Sequence, residues 1–521
     1  MSYRVCIPTA GLGSRLERNT NNLNKSLVSI ANKPIICYIL EQFPADCEFV
    51  IALGYKGNLV KEFLEIAYPD KSFIFSYVDI YEGPQSGLSR TLLSCKEELS
   101  EPFTFISCDT LVENLIDPPF TNWMGYATTE LLAPYRTIAL HSDAVIEILE
   151  KGEGFSANHK AYIGLAGIFD FDLFWEAMNE VGCNSYSIGE SFGLRALIKN
   201  GISGKEFVWH DTGNLQSLEK TRSIYAKPNQ PNILEKSNEA IWFVDNIVIK
   251  YSDNTEFISN RVKRSKILAN YVPKIIKSSN HIYSYERVDG SVLSSIISLS
   301  TFKKLLSFCQ SFWEVYPLHK EAQSTFRASC NNFYHDKTLS RVNNFYNIFG
   351  REDCLTSINC KDVPLLSMLV TKIDWDWLSN GLPGRFHGDF HFENILLCNK
   401  SNQFVLLDWR QEFGGSLEIG DIYYDLAKLL HGLIMNHQII AQDLYSVDWQ
   451  GTTAIFDFHR KLSLIECEDH FLIWAKYQGY DIKRIKILTS LIFLNISSLH
   501  HYPYSDLLYC LGVLRLSDAL S

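Results

Sequence analysis

The sequence predicts an α/β protein in two parts: an amino-terminal domain on a mixed, mostly parallel sheet, then an α+β region with a small β-rich lobe and a larger helical lobe. Three observations predict it. Over the first ~230 residues short apolar runs alternate with helical patterns, which implies crossover units. A break rich in Pro, Asn and Gln follows, leading directly into a hairpin pattern. Beyond about residue 295 the character is mainly helical, interrupted once.

The elements come in this order. RVCIPTA at 4–10, FVIALGY at 49–55, FIFSYVDI at 73–80 and FTFISCD at 103–109 read as strands, with LVKEFLEIAY and SRTLLSCKEEL as helices between them. In such sheets ligands collect beyond the carboxyl ends of strands, so useful residues should follow the apolar runs. The segment YAKPNQPNILEKSN at 225–238 marks a boundary. AIWFVDNIVIKYSDN then reads as a hairpin with Asp-Asn at its turn, followed by a helix to about Leu268. GRFHGDFHFENILL and FVLLDWR interrupt the helical remainder. The expected domains are 1–228, a small lobe at 229–290 and a large lobe at 291–521.

Composition narrows the function. At 521 residues the chain exceeds one core. A net charge of −11 argues against broad nucleic-acid binding, since no large surface would release phosphate counterions. Thirteen cysteines without a CxxC pair suit a reducing compartment. The start lacks a basic region followed by an apolar core, and the longest late apolar stretch is too short and too polar for a bilayer span. The expected location is cytoplasmic.

AGLGSRL at 10–16 follows the first strand. Glycines there let backbone N–H groups approach phosphate, and the cations Arg15 and Lys25 can neutralise a pyrophosphate leaving group. A tight structural turn is the plain alternative. This stretch, with SLVSIANKPII after Lys25, resembles the signature of sugar-phosphate and choline-phosphate nucleotidyltransferases, which implies a Rossmann-like domain. By that resemblance Ala10, Gly11, Gly13, Arg15 and Lys25 hold the nucleoside triphosphate, with Arg15 and Lys25 acting in catalysis. GPQSGLSRTL resembles the family's base-reading segment, which implies that Gln85 and Gly87 contact the base. The same resemblance, carried by FISCDTL, ILEKGEG, YIGLAGIFDF and WHDTGNLQSL, implies that Asp109 and Asp211 bind Mg²⁺ and that Glu150, Lys151 and Gly164 meet the acceptor. Asn24 stands where the family usually has Pro, a change in loop stiffness. Two carboxylates make chemical sense, because magnesium needs only one or two when phosphates supply the rest.

HGDFHFENILL at 387–397, then FVLLDWR at 404–410, is the most specific signal. Phosphoryl transfer to an alcohol needs a carboxylate near the hydroxyl and oxygen ligands for magnesium. The pattern resembles aminoglycoside phosphotransferases and choline kinases, relatives of protein kinases, which implies a two-lobed protein-kinase-like domain. By that resemblance Asp389 is the catalytic base, Asn394 and Asp408 are metal ligands, Asp425 braces the loop, and Lys250 binds ATP phosphate. Glu256 is the nearby acid that could pair with Lys250, and YERVDGSVL at 285–293 is the hinge behind adenine. Zinc on His387 and His391 is an alternative, but Gly388 and Asp389 suit a loop better than a helical face.

Together the two parts imply a bifunctional enzyme. It would phosphorylate a hydroxylated metabolite (a sugar, polyol or amino alcohol) with ATP, then use CTP, UTP, GTP or dTTP to make NDP-X and pyrophosphate for surface polysaccharide. Mg²⁺ is the expected cofactor, no nucleic acid is expected as a partner, and a homo-oligomer is compatible. The rivals are an antibiotic-modifying kinase with a vestigial transferase, a non-catalytic nucleotide sensor, and two domains serving separate pathways.

Overall fold

The computed structural model describes residues 2–154, 156, 158–180, 188–226 and 238–521. It divides into two compact units, residues 1–255 with 276–285, and residues 256–275 with 286–521. The small lobe expected at 229–290 is thus shared between the units, and its residues 229–237 lie outside the described residues.

The first unit carries a nine-stranded sheet. Its order is Ser72–Tyr77, Glu48–Leu53, Arg4–Pro8, Phe103–Ile106, His159–Ile168, Trp123–Ala127, Ser203–Glu206, Ala144–Leu149 and Thr137–His141. The first four strands are parallel, and His159–Ile168 joins them antiparallel. Arg4–Pro8 is flanked by strands on both sides and faces helices, which is why RVCIP reads as a near-continuous apolar run. Beyond its end the chain must turn away, and the loop at 9–13 begins there and leads into the 3-10 element Ser14–Thr20.

A four-stranded sheet in the order Glu239–Val244, Ile247–Ser252, Ile282–Glu286 and Ile275–Ser278 follows. Asp245 adopts φ 47°, the left-handed turn conformation expected for the Asp-Asn hairpin. Most of this sheet shares the core of the first unit. Fully buried Trp242 meets Phe63 edge-on with ring centroids 5.1 Å apart, and its indole N–H donates to Ser29 Oγ at 3.1 Å. Tyr251 donates to the carbonyl of Asn22 at 2.7 Å.

The second unit is mainly helical. The helix Ile482–Ser497 packs against both Ile422–Ile434 and Tyr504–Leu520. A three-stranded sheet of Gly290–Val292, Ile395–Cys398 and Phe404–Leu406 carries the interruption expected in the sequence. Among the described residues no helix is long and apolar enough to cross a membrane, and the twelve described cysteines are unpaired.

Candidate functional sites

In the first unit a cavity of about 500 Å³ opens beyond the carboxyl ends of the parallel strands. Gly13 sits at φ 69°, and a Cβ there would come within 2.9 Å of both Lys25 and Thr20, so only glycine fits. A Cβ at Gly11 would meet nothing within 4 Å, which leaves that backbone open to a ligand. Asn24 is fully buried and ties the loops together. It donates to the carbonyls of Thr9 at 2.8 Å and Tyr55 at 2.6 Å, and accepts from the Ser26 amide at 3.0 Å. These bonds substitute for the stiffness a proline ring would give.

Asp109 follows strand Phe103–Ile106, and Thr110–Val112 pairs antiparallel with Trp209–Asp211. That ladder brings Asp109 and Asp211 together. A Cβ on Gly213 would lie 3.1 Å from Asp211 Oδ1 and 3.2 Å from Asp109 Oδ2, so both carboxylates face one spot. Lys25 Nζ lies 3.0 Å from Asp109 Oδ2, and the Tyr135 hydroxyl donates to Asp211 Oδ2 at 3.0 Å. Burial acts to lower the Lys25 ammonium, but the Asp109 carboxylate outweighs it and holds it above the ordinary lysine value. Burial acts to raise Asp109, yet Lys25, then Arg15, keep it below the usual carboxylate range. The pair is charged.

Ala10, Gly11, Gly13, Arg15, Lys25, Gly87, Asp109, Lys151, Gly164 and Asp211 all line this cavity. Gln85 is exposed in the loop before Gly87 and does not line it. Neither does Glu150, whose carboxylate pairs instead with Arg136 at 2.9 Å and Arg195 at 2.5 Å. Arg136 itself lines the cavity, so Glu150 acts on it at one remove. The sequence reading missed Tyr135, Arg136, Tyr162 and Glu190, all in the lining. Glu190 is 2% exposed, and burial raises it above the usual carboxylate value. Lys151 is lowered by burial and then by Arg15 and Arg136. The facing carboxylates of Asp109 and Asp211 are hard oxygen donors and fit a magnesium ion that shares its remaining positions with phosphate.

In the second unit the hairpin Ile395–Cys398 with Phe404–Leu406 sets the site. Asn394 precedes the first strand and Asp408 follows the second, and Ile395 pairs with Leu406, so both lie at one end of the ladder. The Leu407 amide also donates to the Asn394 carbonyl at 2.7 Å. Asn394 Nδ2 donates to Asp389 Oδ2 at 3.1 Å and to the Asp389 carbonyl at 3.0 Å. Asp408 takes φ 55° and pairs with Arg261 at 2.9 Å. The Asn394 and Asp408 oxygens are again of the kind magnesium takes.

Asp389 is flanked by Lys428, whose Nζ lies 2.9 Å from Oδ1, and by His391, whose Nε2 lies 3.3 Å from Oδ2. Burial works to raise Asp389, but Lys428 and then His391 hold it well below the carboxylate range. His391 is lowered by burial but carried up to about 9 by Asp389 and Glu393, so it is cationic. His387 is fully buried, with Nε2 2.8 Å from the Leu407 carbonyl and Nδ1 accepting from the Asp389 amide at 3.2 Å. Burial pushes it down to about 3, which makes it a neutral strut of the loop. Asp425 accepts from the amides of His387 at 2.6 Å and Gly388 at 2.7 Å, and from Trp313 at 3.1 Å. Lys250 is buried on strand Ile247–Ser252 in the first unit, while Glu256 is exposed in the first turn of Thr255–Leu268.

Residues 350–460 match the phosphotransferase enzyme family, APH. The amino-terminal region is similar to nucleotidyltransferases. Over 168 residues it is 27% identical to the bifunctional protein GlmU of Methanocaldococcus jannaschii, covering 31% of this chain and 38% of that one. Over 62 residues it is 37% identical to a probable glucose-1-phosphate cytidylyltransferase of Bacillus subtilis, covering 12% of this chain and 24% of that one. This chain therefore spans less than half the length of either relative. Among solved structures it aligns with a UDP-glucose pyrophosphorylase complexed with UDP-glucose at 20% identity and TM-score 0.37, over 43% of this chain and 98% of that one. An APH-type phosphotransferase domain thus lies toward the carboxyl end, behind a nucleotidyltransferase-like region.

Proposed function

We propose that this chain is a bifunctional transferase that phosphorylates a small alcohol with ATP and then joins the phosphate to a nucleotide. The observation that carries it is the pair of separate oxygen-donor centres, Asp109 with Asp211 in one unit and Asp389, Asn394 and Asp408 in the other.

In the first step Asp389, already ionised, accepts the proton of the acceptor hydroxyl as its oxygen attacks the γ-phosphorus, and ADP leaves. In the second, an oxygen of the acceptor phosphate attacks the α-phosphorus of a nucleoside triphosphate and pyrophosphate leaves. Arg15 and Lys25 neutralise the departing charge, and the open backbone at Gly11 binds phosphate oxygens. Magnesium, held by Asp109 with Asp211 and by Asn394 with Asp408, would supply charge neutralisation at the phosphates in both centres. Arg136, fixed by Glu150, and Lys151 would hold the acceptor. Consecutive chemistry on one chain supports a route to NDP-X that draws on cytoplasmic nucleotides for surface polysaccharide.

A coupled assay on the whole chain tests this. With ATP, a second triphosphate and a panel of alcohols, one acceptor should yield both ADP and pyrophosphate. ADP with one acceptor and pyrophosphate only with the phosphate of another would separate the two steps.

A further inference from the structure

We propose that the phosphoryl acceptor of the second unit is an anionic alcohol, bearing a carboxylate or phosphate group that Lys337 and Arg341 bind beside Asp389. The inference rests on the kinase reading above and names its substrate class.

Phe333, Lys337 and Arg341 are spaced by four along one helical run made of Lys320–Asn331, the π turn Asn332–Asp336 and Lys337–Phe349. That spacing puts them on one face. Lys337 Nζ lies 4.1 Å from the Phe333 ring centroid, and the Arg410 guanidinium lies 4.7 Å from the same centroid. The two cations therefore converge on one ring. Arg410 also packs over Gly388, where a Cβ would come within 2.5 Å of Arg410 Cβ, immediately before Asp389 in the chain. Phe333 meets Tyr424 edge-on at 4.9 Å, and Tyr424 lies one turn before Lys428, the partner of Asp389. The cationic face is continuous with the base.

This face lacks counter-charge. Asp389 is engaged by Lys428 and His391, and His391 also engages Glu393. Asp336 pairs with His335, and Asp425 is committed to the loop amides and Trp313. Among the described residues no carboxylate pairs with Lys337, Arg341 or Arg410. All three are half-buried. Burial, then Arg410, Lys428 and Arg341, push Lys337 down to about 7, against the pull of Asp389. Half-buried cations without a carboxylate partner are costly to hold, and a ligand anion relieves that cost. A quaternary ammonium or other cationic acceptor would meet repulsion here instead.

The step stays balanced. The acceptor oxygen–γ-phosphorus bond forms, the bond from the γ-phosphorus to the bridging oxygen breaks with its electrons leaving on ADP, and the hydroxyl proton passes to Asp389. The acceptor's anion takes no part in bond making.

The test uses the full chain with ATP and matched alcohols: glycerate and glycerol 3-phosphate against glycerol and choline. The anionic pair should be phosphorylated with kcat/KM at least about tenfold higher, the effect of a charged hydrogen bond. Lys337→Met and Arg341→Met should raise KM for the anionic acceptors and erase their advantage over glycerol, leaving KM for ATP unchanged. Lys337→Arg should restore most of it. Equal or better use of glycerol or choline overturns the inference and leaves the kinase reading standing. Transfer to no alcohol of either charge overturns the kinase reading itself.

Discussion

The Nζ of Lys428 lies 2.9 Å from Oδ1 of Asp389, and its charge is the largest influence holding that carboxylate ionised against burial. Lys428 reaches the loop from helix Ile422–Ile434, the same helix whose Asp425 clamps the amides of His387 and Gly388. One helix therefore sets both the shape and the charge of the candidate base.

Removing that ammonium should raise the pKa of Asp389. The rate needs the ionised form, so the acidic limb of the kcat profile for ADP formation should move to higher pH in Lys428→Met. The rate at neutral pH should fall by up to roughly 100-fold, the low end of general-base contributions. The sign follows from Asp389 being depressed in the folded state: its stabilising share is present above the unfolded value and lost as pH falls. A limb that stays in place would show that Lys428 does not govern this carboxylate.

Asp109→Asn or Asp211→Asn should abolish pyrophosphate release, with a loss of at least about 100-fold, and leave ADP formation at the wild-type rate. Their side chains bond to Lys25, Tyr135 and Gly213, all residues of the first unit, so a selective loss is expected. A parallel fall in both products would argue against two centres. Separate assays of ADP and pyrophosphate on the same samples decide it.

Asn24 offers a stability test away from the chemistry. Its buried amide bonds both Thr9 and Tyr55, and Asn24→Ala would leave those carbonyls short of a donor. The expected cost is about 1–3 kcal/mol in urea unfolding of the first unit. Asn24→Pro would suit the backbone, which already has φ −69° and ψ 146°, but would lose the same bonds. It should therefore recover only part of the loss.

The residues legible in the sequence are those that end strands. Asp109 and Asp211 in the first unit, and Asn394 and Asp408 in the second, each adjoin or end a strand, so each unit's own ladder brings its pair together. Arg136 and Glu190 were not legible, because they lie in loops whose partners come from elsewhere in the chain, and a lone Arg or Glu reads as a solvated charge. Glu150 was legible as a charged residue but not as the anchor of Arg136 and Arg195. Trp242 and Tyr251 carried a strand pattern, yet nothing in that pattern says they pack with Phe63 and Asn22. Lys337 and Arg341 look like an ordinary polar helix face until Phe333 and Arg410 are seen beside them.

The lysine at 337 carries the last prediction. In the folded chain it sits at about 7 against an ordinary value of 10.5, so it loses its proton as pH rises through neutrality. The groups facing it are Arg341 on its own helix, Arg410 and Asp389 on the loops, and Lys428 on helix Ile422–Ile434. Lys428 is raised by Asp389 despite burial, and Asp389 stays ionised. His391, carried up to about 9, is still mostly protonated at the top of this window. KM for an anionic acceptor should therefore rise as pH passes from about 6.5 to 8.5 while KM for ATP holds steady, and Lys337→Arg should flatten the rise. Depression of Lys337 also means the unfolded chain binds more protons over this range, so the residue's contribution makes folding more favourable as pH increases. Weaker acceptor binding would thus coincide with an unchanged or higher Tm, which separates loss of the cation from loss of the fold. An acceptor KM independent of pH in the wild type would show that Lys337 does not meet the acceptor's charge.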